Sequence, residues 1–464
     1  MSLNDLAIDV PQAAAGAAAA ELRAALGARV LLPGDPGFDD ARTPWNLAVA
    51  QHPFAVALPE TAQDVVDVVR AATLAGLRIA PQSTGHAAGA LGGADLSHTV
   101  LVSLRAMRGV VVDAEARTAR VLGGSLWNDV LEAAAPHGLT ALHGSAGDVS
   151  VVGYSLSGGL SFYARAHGLG VGAVRAVEVV TADGALVRAS AEEEPDLFWA
   201  LRGGSGAFGV VVAIEIDLLP IADVFAGMLL WDATRAAEVS HAWAEWTRTA
   251  PETATTALRI LHLPPLPQLP PFLSGRSVVV IDGAIEETDA AASALLEPLR
   301  ALGPEVDTFT RIPAPALIGV HMDPPEPTPS VTWHAMLGEL PAAAVDAFVA
   351  AAQIPGLFGQ ELRHVGGAAG RRPVGGGAIA SVAGDYLVHS LAMVPVPEAA
   401  AAADAAVRAG VAAFDPWRVE ALALTFIDAP GADRAAAFGD AWTRLRRLKL
   451  TYDPANLFAA ARPV

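Results

Sequence analysis

The chain has 464 residues, 53% of them hydrophobic and 17% charged, with a formal net charge of −19 and no cysteine. This composition excludes a disordered chain or a coiled coil. The acidic balance argues against nucleic-acid and anionic-membrane partners, and the missing thiols exclude disulfides, thiolate metal sites and cysteine nucleophiles. No stretch approaches the ~20 apolar residues of a membrane span. No secretory leader pattern is read, so a cytoplasmic protein is expected.

In chain order, residues 1–29 read as an alanine-rich helical lead-in. Between Leu58 and Gly76, Thr61 is placed to cap a helix, with Asp64 at its third position and a stripe of Val65, Val66, Val68 and Val69. A short strand over 77–80 runs into a glycine-bearing loop, Gln82 to Gly93, and a second strand covers 99–104. Segments 110–112 and 118–122 pair as a hairpin, a helix opens after Gly123-Gly124-Ser125, and a second glycine-rich segment spans 144–172. A hairpin over 174–188 turns at Ala182-Asp183-Gly184, followed by a short helix over 197–201 and a long strand over 209–218. Beyond Pro220, strands at 277–281, 331–336, 360–365, 386–393 and 420–427 alternate with alanine-rich helices. Proline-rich loops interrupt them at 263–272 and 323–329. The tail from Ala437 is helical.

Gly204-Ser205-Gly206-Ala207-Phe208-Gly209 matches G-x-G-x-x-G, but its context is inverted. A dinucleotide fingerprint follows a strand and opens a helix; this one follows a helix and opens a strand. The loops that can hold a diphosphate are instead Gln82-Ser83-Thr84-Gly85-His86 with Gly89, and Gly144-Ser145 through Asp148, Gly153, Tyr154 and Ser157-Gly158-Gly159. Small residues there let backbone N–H groups converge on an anion.

Six blocks in this order resemble the FAD-linked oxidases of the vanillyl-alcohol oxidase superfamily, in its berberine-bridge-enzyme-like branch. They are LPETAQDVVDVVRAATLAGLRIAPQSTGHAAGA, VLGGSLWNDV, SVVGYSLSGGLSFYARAHGLG, VVTADGALVRAS, DLFWALRGGSGAFGVVVAIEIDLLP and RLRRLKLTYDPANLF. The resemblance implies an α+β, two-domain PCMH-type FAD-binding fold. The FAD-binding domain would span 1–220, with its core at about 48–220. A substrate domain of antiparallel sheet and helices would be inserted over 221–430, and 431–464 would return to the first domain. It further implies that Gln82 to His86 cradle the pyrophosphate, Gly144 to Gly159 line the other side, Gly209 and Val211 border the adenine, and Tyr452 and Asn456 touch the flavin ring. His86 occupies the position of the histidine bonded to the flavin 8α-carbon, with Thr84 in place of a usual glycine. Ala146 stands where many members carry a second, cysteinyl attachment, so bicovalent FAD is excluded.

The implied activity is hydride transfer from an alcohol or amine carbon of a small molecule to flavin N5, with O₂ as acceptor. The alternative is a non-catalytic or dehydrogenase-type flavin protein that has lost its base. The family's tyrosine-bearing Y-x-N-Y stretch is here Ala423-Leu424-Thr425-Phe426, so the base is sought among Tyr386, His389 and His334, in that order. Strand alternation puts Tyr386 and His389 on opposite faces. Glu361 and Arg363 share a face and are read as a structural pair. No metal spacing is present.

Overall fold

The computed structural model describes residues 12–464 apart from residues 268 and 431, with side chains from Ala15 onward. The expected lead-in helix runs Gln12–Leu26, and the rest of that expectation, residues 1–11, lies outside the described residues. The strands are β1 (Val30–Leu31), β2 (Ala55–Ala57), β3 (Arg78–Gln82), β4 (Thr99–Ser103), β5 (Val110–Asp113), β6 (Thr118–Leu122), β7 (Val174–Val180), β8 (Leu186–Ser190) and β9 (Val210–Asp217). After these come β10 (Asp223–Asp232), β11 (Ala254–His262), β12 (Ser277–Ile285), β13 (Val306–Asp307), β14 (Thr310–Pro313), β15 (Ser330–Leu337), β16 (Gly359–His364) and β17 (Tyr386–Met393).

They form three sheets. The first, ordered β1-β2-β4-β3, is parallel across β2-β4-β3, and the second, ordered β5-β6-β9-β7-β8, is antiparallel. The third has eight strands, ordered β13-β10-β12-β11-β16-β17-β15 with β14 beside β10, and draws only on residues 223–393. The mixed α+β class and the two-part architecture are therefore as expected.

Local signals explain the first sheet's cover. The helix Ala62–Leu74 begins at a capping box in which Thr61 accepts from the Asp64 amide and Asp64 accepts from the Thr61 amide. Its Val65, Val68 and Val69 pack against Ile79, Val100 and Val102 of the sheet. The tail returns to the same sheet: after the helix Ala441–Tyr452, the Ala459 amide donates to Ile79 O at 2.7 Å, beside an isolated Ile79–Phe458 bridge.

One expected strand is absent. Residues 420–427 instead form a coil with a 3₁₀ turn at Leu424–Phe426. Apolar alternation there reflects packing against β15: the Val419 amide donates to Met336 O, and His334 Nε2 accepts from the Ala423 amide at 3.1 Å. The strands β10 and β11, which the sequence pattern had not marked, are central in the large sheet. Strand β10 is apolar nearly throughout, and β11 mixes Thr255, Thr256 and Arg259 into its buried run, so neither shows a clean alternation.

Candidate active site

Parts of both glycine loops open onto one cleft of about 1,040 Å³, walled by Pro81 to Ala88, Val149, Ser150, Val152 to Tyr154, Gly204 to Gly206, Val211, Thr425 and Ala460 to Arg462. The fit to a dinucleotide rests on backbone. The amides of Thr84, Gly85, His86 and Ala87 donate to no described protein acceptor, although all four residues border the cleft. Four free N–H groups on a loop without bulky side chains form an anion cradle. Gly85 is held at φ 80°, and an added Cβ would lie 2.6 Å from Pro44 Cβ. The segment Pro44–Asn46 straps that loop: the Trp45 and Asn46 amides donate to Thr84 O and Gly85 O. Gln82 pairs with Gln51 at 2.9 Å, and Ser83 Oγ donates to Gly123 O.

His86 lies in the cleft wall with Trp45 stacked on it, ring centroids 4.2 Å apart. Its Nδ1 is 2.8 Å from Thr84 Oγ1, and its Nε2 faces Asp148 at 3.5 Å. Asp148 stands behind the histidine and does not itself line the cleft. Gly153 and Tyr154 line it, and the Tyr154 hydroxyl is buried without a partner among the described residues.

Several residues expected at the cofactor lie elsewhere. Gly89 is outside the wall, its amide donating to Asp428 Oδ1 at 2.9 Å. Gly144 packs against the Tyr154 ring, and Ser145 turns to a neighbouring small cavity, where its hydroxyl donates to Asp323 at 2.6 Å. Ser157 accepts from Arg462 at 2.8 Å, while Gly158 and Gly159 make a positive-φ turn behind the wall. Gly209 packs on Val179 and Val180, and only its neighbour Val211 reaches the cleft. Tyr452 and Asn456 do not reach it. The Tyr452 hydroxyl donates to Glu194, and Asn456 is a left-handed turn residue (φ 51°) whose carbonyl accepts from Arg78. The turn they form delivers Ala460, Ala461 and Arg462 instead. Burial pushes the Arg462 guanidinium down to about 10, against the pull of Asp428.

The inverted G-x-G-x-x-G also contributes. It sits between the helix Pro195–Gly204 and β9, as its context implied, yet Gly204, Ser205 and Gly206 form part of the wall. Ser205 is held at φ 41°.

One face of the large sheet carries a row of ionisable side chains. Register places Arg259 (β11), Glu361 (β16), His389 (β17) and His334 (β15) side by side, one on each successive strand. Arg363 bonds Glu361 at 2.6 Å, and His321 bridges to Asp282, which is ion-paired with Arg259. Burial pushes the Glu361 carboxyl up, but Arg363, His389 and His321 outweigh it and hold the group well below its usual range. Phe426 caps this face, 5.0 Å beneath the Arg363 guanidinium and 5.4 Å from the His389 ring, and its neighbour Thr425 is in the cleft wall.

The three base candidates separate cleanly. Tyr386 is on the opposite, helix-covered face, stacked on His364 and bonded to Thr247 at 2.8 Å; burial raises its phenol pKa. That face is the one opposite His389 and Phe426, which counts against its first rank. His334 is buried, with Nε2 occupied by the Ala423 amide, and burial lowers it to about 3. His389 keeps 16% side-chain exposure, has Nδ1 3.4 Å from Glu361 Oε2, and engages no described residue through Nε2. Of the proline-rich loops, 323–329 reaches the site through Asp323–Ser145 and the reciprocal Thr328–Trp45 and Leu47–Thr328 backbone bonds. The 263–272 loop, one of whose residues is outside the described set, closes on itself and on Arg276.

Comparisons with known proteins agree with this geometry. Residues 53–190 match the FAD binding domain family. The (R)-6-hydroxynicotine oxidase of Paenarthrobacter nicotinovorans is 34% identical over 203 residues, 44% of this chain and 44% of that protein, so the match spans less than half of the relative. Among solved structures, wild-type BBE-like 1 of Physcomitrella patens superposes with a TM-score of 0.82 at 20% identity, over 96% of this chain and 98% of that one. The glucooligosaccharide oxidase of Acremonium strictum, whose structure is described by its 6-S-cysteinyl, 8α-N1-histidyl FAD, gives 0.78 at 21% identity over 96% and 99%.

Proposed function

We propose that this chain, which carries an FAD binding domain and has the fold of the berberine-bridge-enzyme-like oxidases of the vanillyl-alcohol oxidase superfamily, is an FAD-linked oxidase of a small alcohol or amine. The observation that carries this is the meeting of two dissimilar surfaces: a cleft of free backbone amides and a sheet face bearing an accessible histidine held by a buried carboxylate. FAD bound there would accept a hydride at N5 and pass the electrons to O₂. We assign residues 1–220 and 431–464 to the cofactor half and 221–430 to the substrate half.

The chain's own residues do the rest. Loop 84–87 would hold the pyrophosphate through its amides, and Arg462 would supply a full positive charge from the cleft wall. His86 is the attachment point for the flavin 8α-carbon; Ala146 leaves no second one. His389 accepts the hydroxyl or ammonium proton through Nε2 as hydride leaves, so that no free alkoxide forms. Glu361, kept anionic by Arg363, holds Nδ1–H of His389 and stabilises the imidazolium that results. Phe426 and Tyr154 shield the site from water.

Purified protein is expected to be yellow and to retain its flavin in acid, and His86→Ala to release it. Colourless protein that takes up no FAD ends this reading. Bound flavin that no alcohol or amine reduces favours the non-catalytic alternative.

A further inference from the structure

His86 sits in a frame more elaborate than a phosphate loop requires. The Trp45 indole lies flat on the imidazole, with centroids 4.2 Å apart and planes 17° from parallel. The indole Nε1–H donates to Asp148 Oδ2 at 2.6 Å, which leaves Asp148 Oδ1 facing His86 Nε2 at 3.5 Å. At that distance the contact is not yet a hydrogen bond, and Nε2 is buried with no other partner among the described residues. On the other side of the ring, Nδ1 is 2.8 Å from the Thr84 hydroxyl.

We propose that Asp148 is a positioning residue that fixes His86 in the tautomer with hydrogen on Nε2, so that Nδ1 keeps the lone pair that bonds the flavin 8α-carbon. The inference rests on the covalent attachment proposed above. A carboxylate oxygen only accepts, so the nitrogen turned toward it carries the hydrogen, and the other is left with a lone pair. Burial pushes Asp148 up, but His86 and Trp45 outweigh it and keep the carboxyl below its ordinary range, hence anionic. The Thr84 hydroxyl donates to Nδ1 at rest and can rotate away. In the reaction the Nδ1–C8α bond forms and one 8α C–H bond breaks. The 8α proton leaves to solvent and the Nε2 proton passes to Asp148. The two electrons enter the isoalloxazine and go on to O₂, which with two protons becomes hydrogen peroxide.

The Trp45 bond makes the test sharp. In Asp148→Asn the indole N–H still needs an acceptor, so the amide oxygen turns to Trp45 and the amide NH₂ to His86. That group only donates; Nε2 is then forced to carry the lone pair and Nδ1 the hydrogen, the wrong tautomer for attack. Asp148→Ala imposes no tautomer. The full-length proteins, incubated aerobically with excess FAD, are acid-precipitated over time and the flavin in pellet and supernatant is measured. FAD affinity before attachment is read separately from flavin fluorescence. Attachment is expected to fall at least tenfold in D148N, to fall less in D148A, and to recover in W45F/D148N, where the amide can turn round, with affinities within about threefold throughout. D148N attaching at the wild-type rate, or D148A slower than D148N, overturns the proposal and leaves covalent attachment standing. Wild-type protein that sheds all its FAD in acid removes the attachment itself, and this inference with it.

Discussion

The cofactor cleft is built of backbone and small side chains, whereas one face of the large sheet is crowded with charge. Thr84 to Ala87 offer amides and only one ionisable side chain; the row Arg259, Glu361, His389 and His334, with Arg363, Asp282 and His321, offers little else. A cleft of amides binds an anion without committing a charge, and so serves any substrate chemistry. A face of paired charges holds one particular group at a fixed protonation state. The proposed cofactor half is thus built on backbone, and the proposed reacting half on side chains.

The comparison breaks first at His389. If the charged face performs proton transfer, His389→Ala lowers the rate of flavin reduction by substrate about 10²–10⁴-fold, the usual worth of a general base, while FAD content is unchanged. Stopped-flow bleaching of the flavin measures it. A loss below tenfold would move the base to another residue.

Glu361→Gln tests whether the pairing is structural as well. The Arg363 guanidinium would lose its carboxylate partner in a buried site, a change costing about 3–5 kcal/mol when one member of a buried pair is removed. Denaturant unfolding of flavin-loaded protein should show it. The wild-type pair also has a pH signature. Glu361 is held well below its ordinary value of 4.5, so its contribution is present above pH 4.5 and is lost as pH falls through the lower folded value.

A second pH signature comes from histidines buried neutral in both halves of the molecule. Burial lowers His143 to about 4 and His334 and His364 to about 3, from an ordinary 6.5. Their folded values lie below their unfolded ones, so the unfolded chain binds the extra protons and stability falls as pH drops below 6.5. Each contributes a slope approaching ~1.4 kcal/mol per pH unit down to its folded value. Asp428, raised by burial to about 7, works in the opposite sense between 3.8 and 7 and offsets one of the three. Unfolding free energy measured from pH 7 to 5 should show the net slope, and His364→Asn should flatten it by about one histidine's worth.

How much of this could be read from the sequence follows the same division. The cleft was legible because its residues are contiguous: Gln82 to His86 and Gly153-Tyr154 are where the motifs put them. The errors there are of direction. The resemblance implies that Gly144 to Gly159 line the cofactor, yet Gly158 and Gly159 turn at positive φ behind the wall, and Gly209 packs on Val179. The resemblance implies flavin contacts from Tyr452 and Asn456, whereas the Asp453-Pro454-Ala455-Asn456 turn brings Arg462 to the cleft. The charged row was not legible, because it draws on positions 259, 334, 361 and 389, brought together only by register. Nothing in the sequence states which strands are neighbours, and β10 and β11 went unmarked. The rejected fingerprint was rightly refused as a Rossmann loop, yet Gly204 and Gly206 still serve the cleft, since small residues suit close approach in any fold.

The smallest effect expected is at Tyr386, and it bears on the part of the alternation argument the sequence did settle. Tyr386 and His389 lie on one strand three residues apart and face opposite ways. Thr247 Oγ1 donates to Ala244 O at 2.8 Å, so the Tyr386 hydroxyl is the donor in its own bond to Thr247. Tyr386→Phe therefore removes one donor and leaves Thr247 still bonded to Ala244. The ring stays stacked on His364, with Trp243 edge-on to it. The expected cost is about 1 kcal/mol of stability, with flavin reduction at the wild-type rate. Matched thermal melts and stopped-flow traces of Tyr386→Phe and His389→Ala decide it. A Tyr386→Phe enzyme that is stable but slow would mean the helix-covered face of the sheet reaches the chemistry after all.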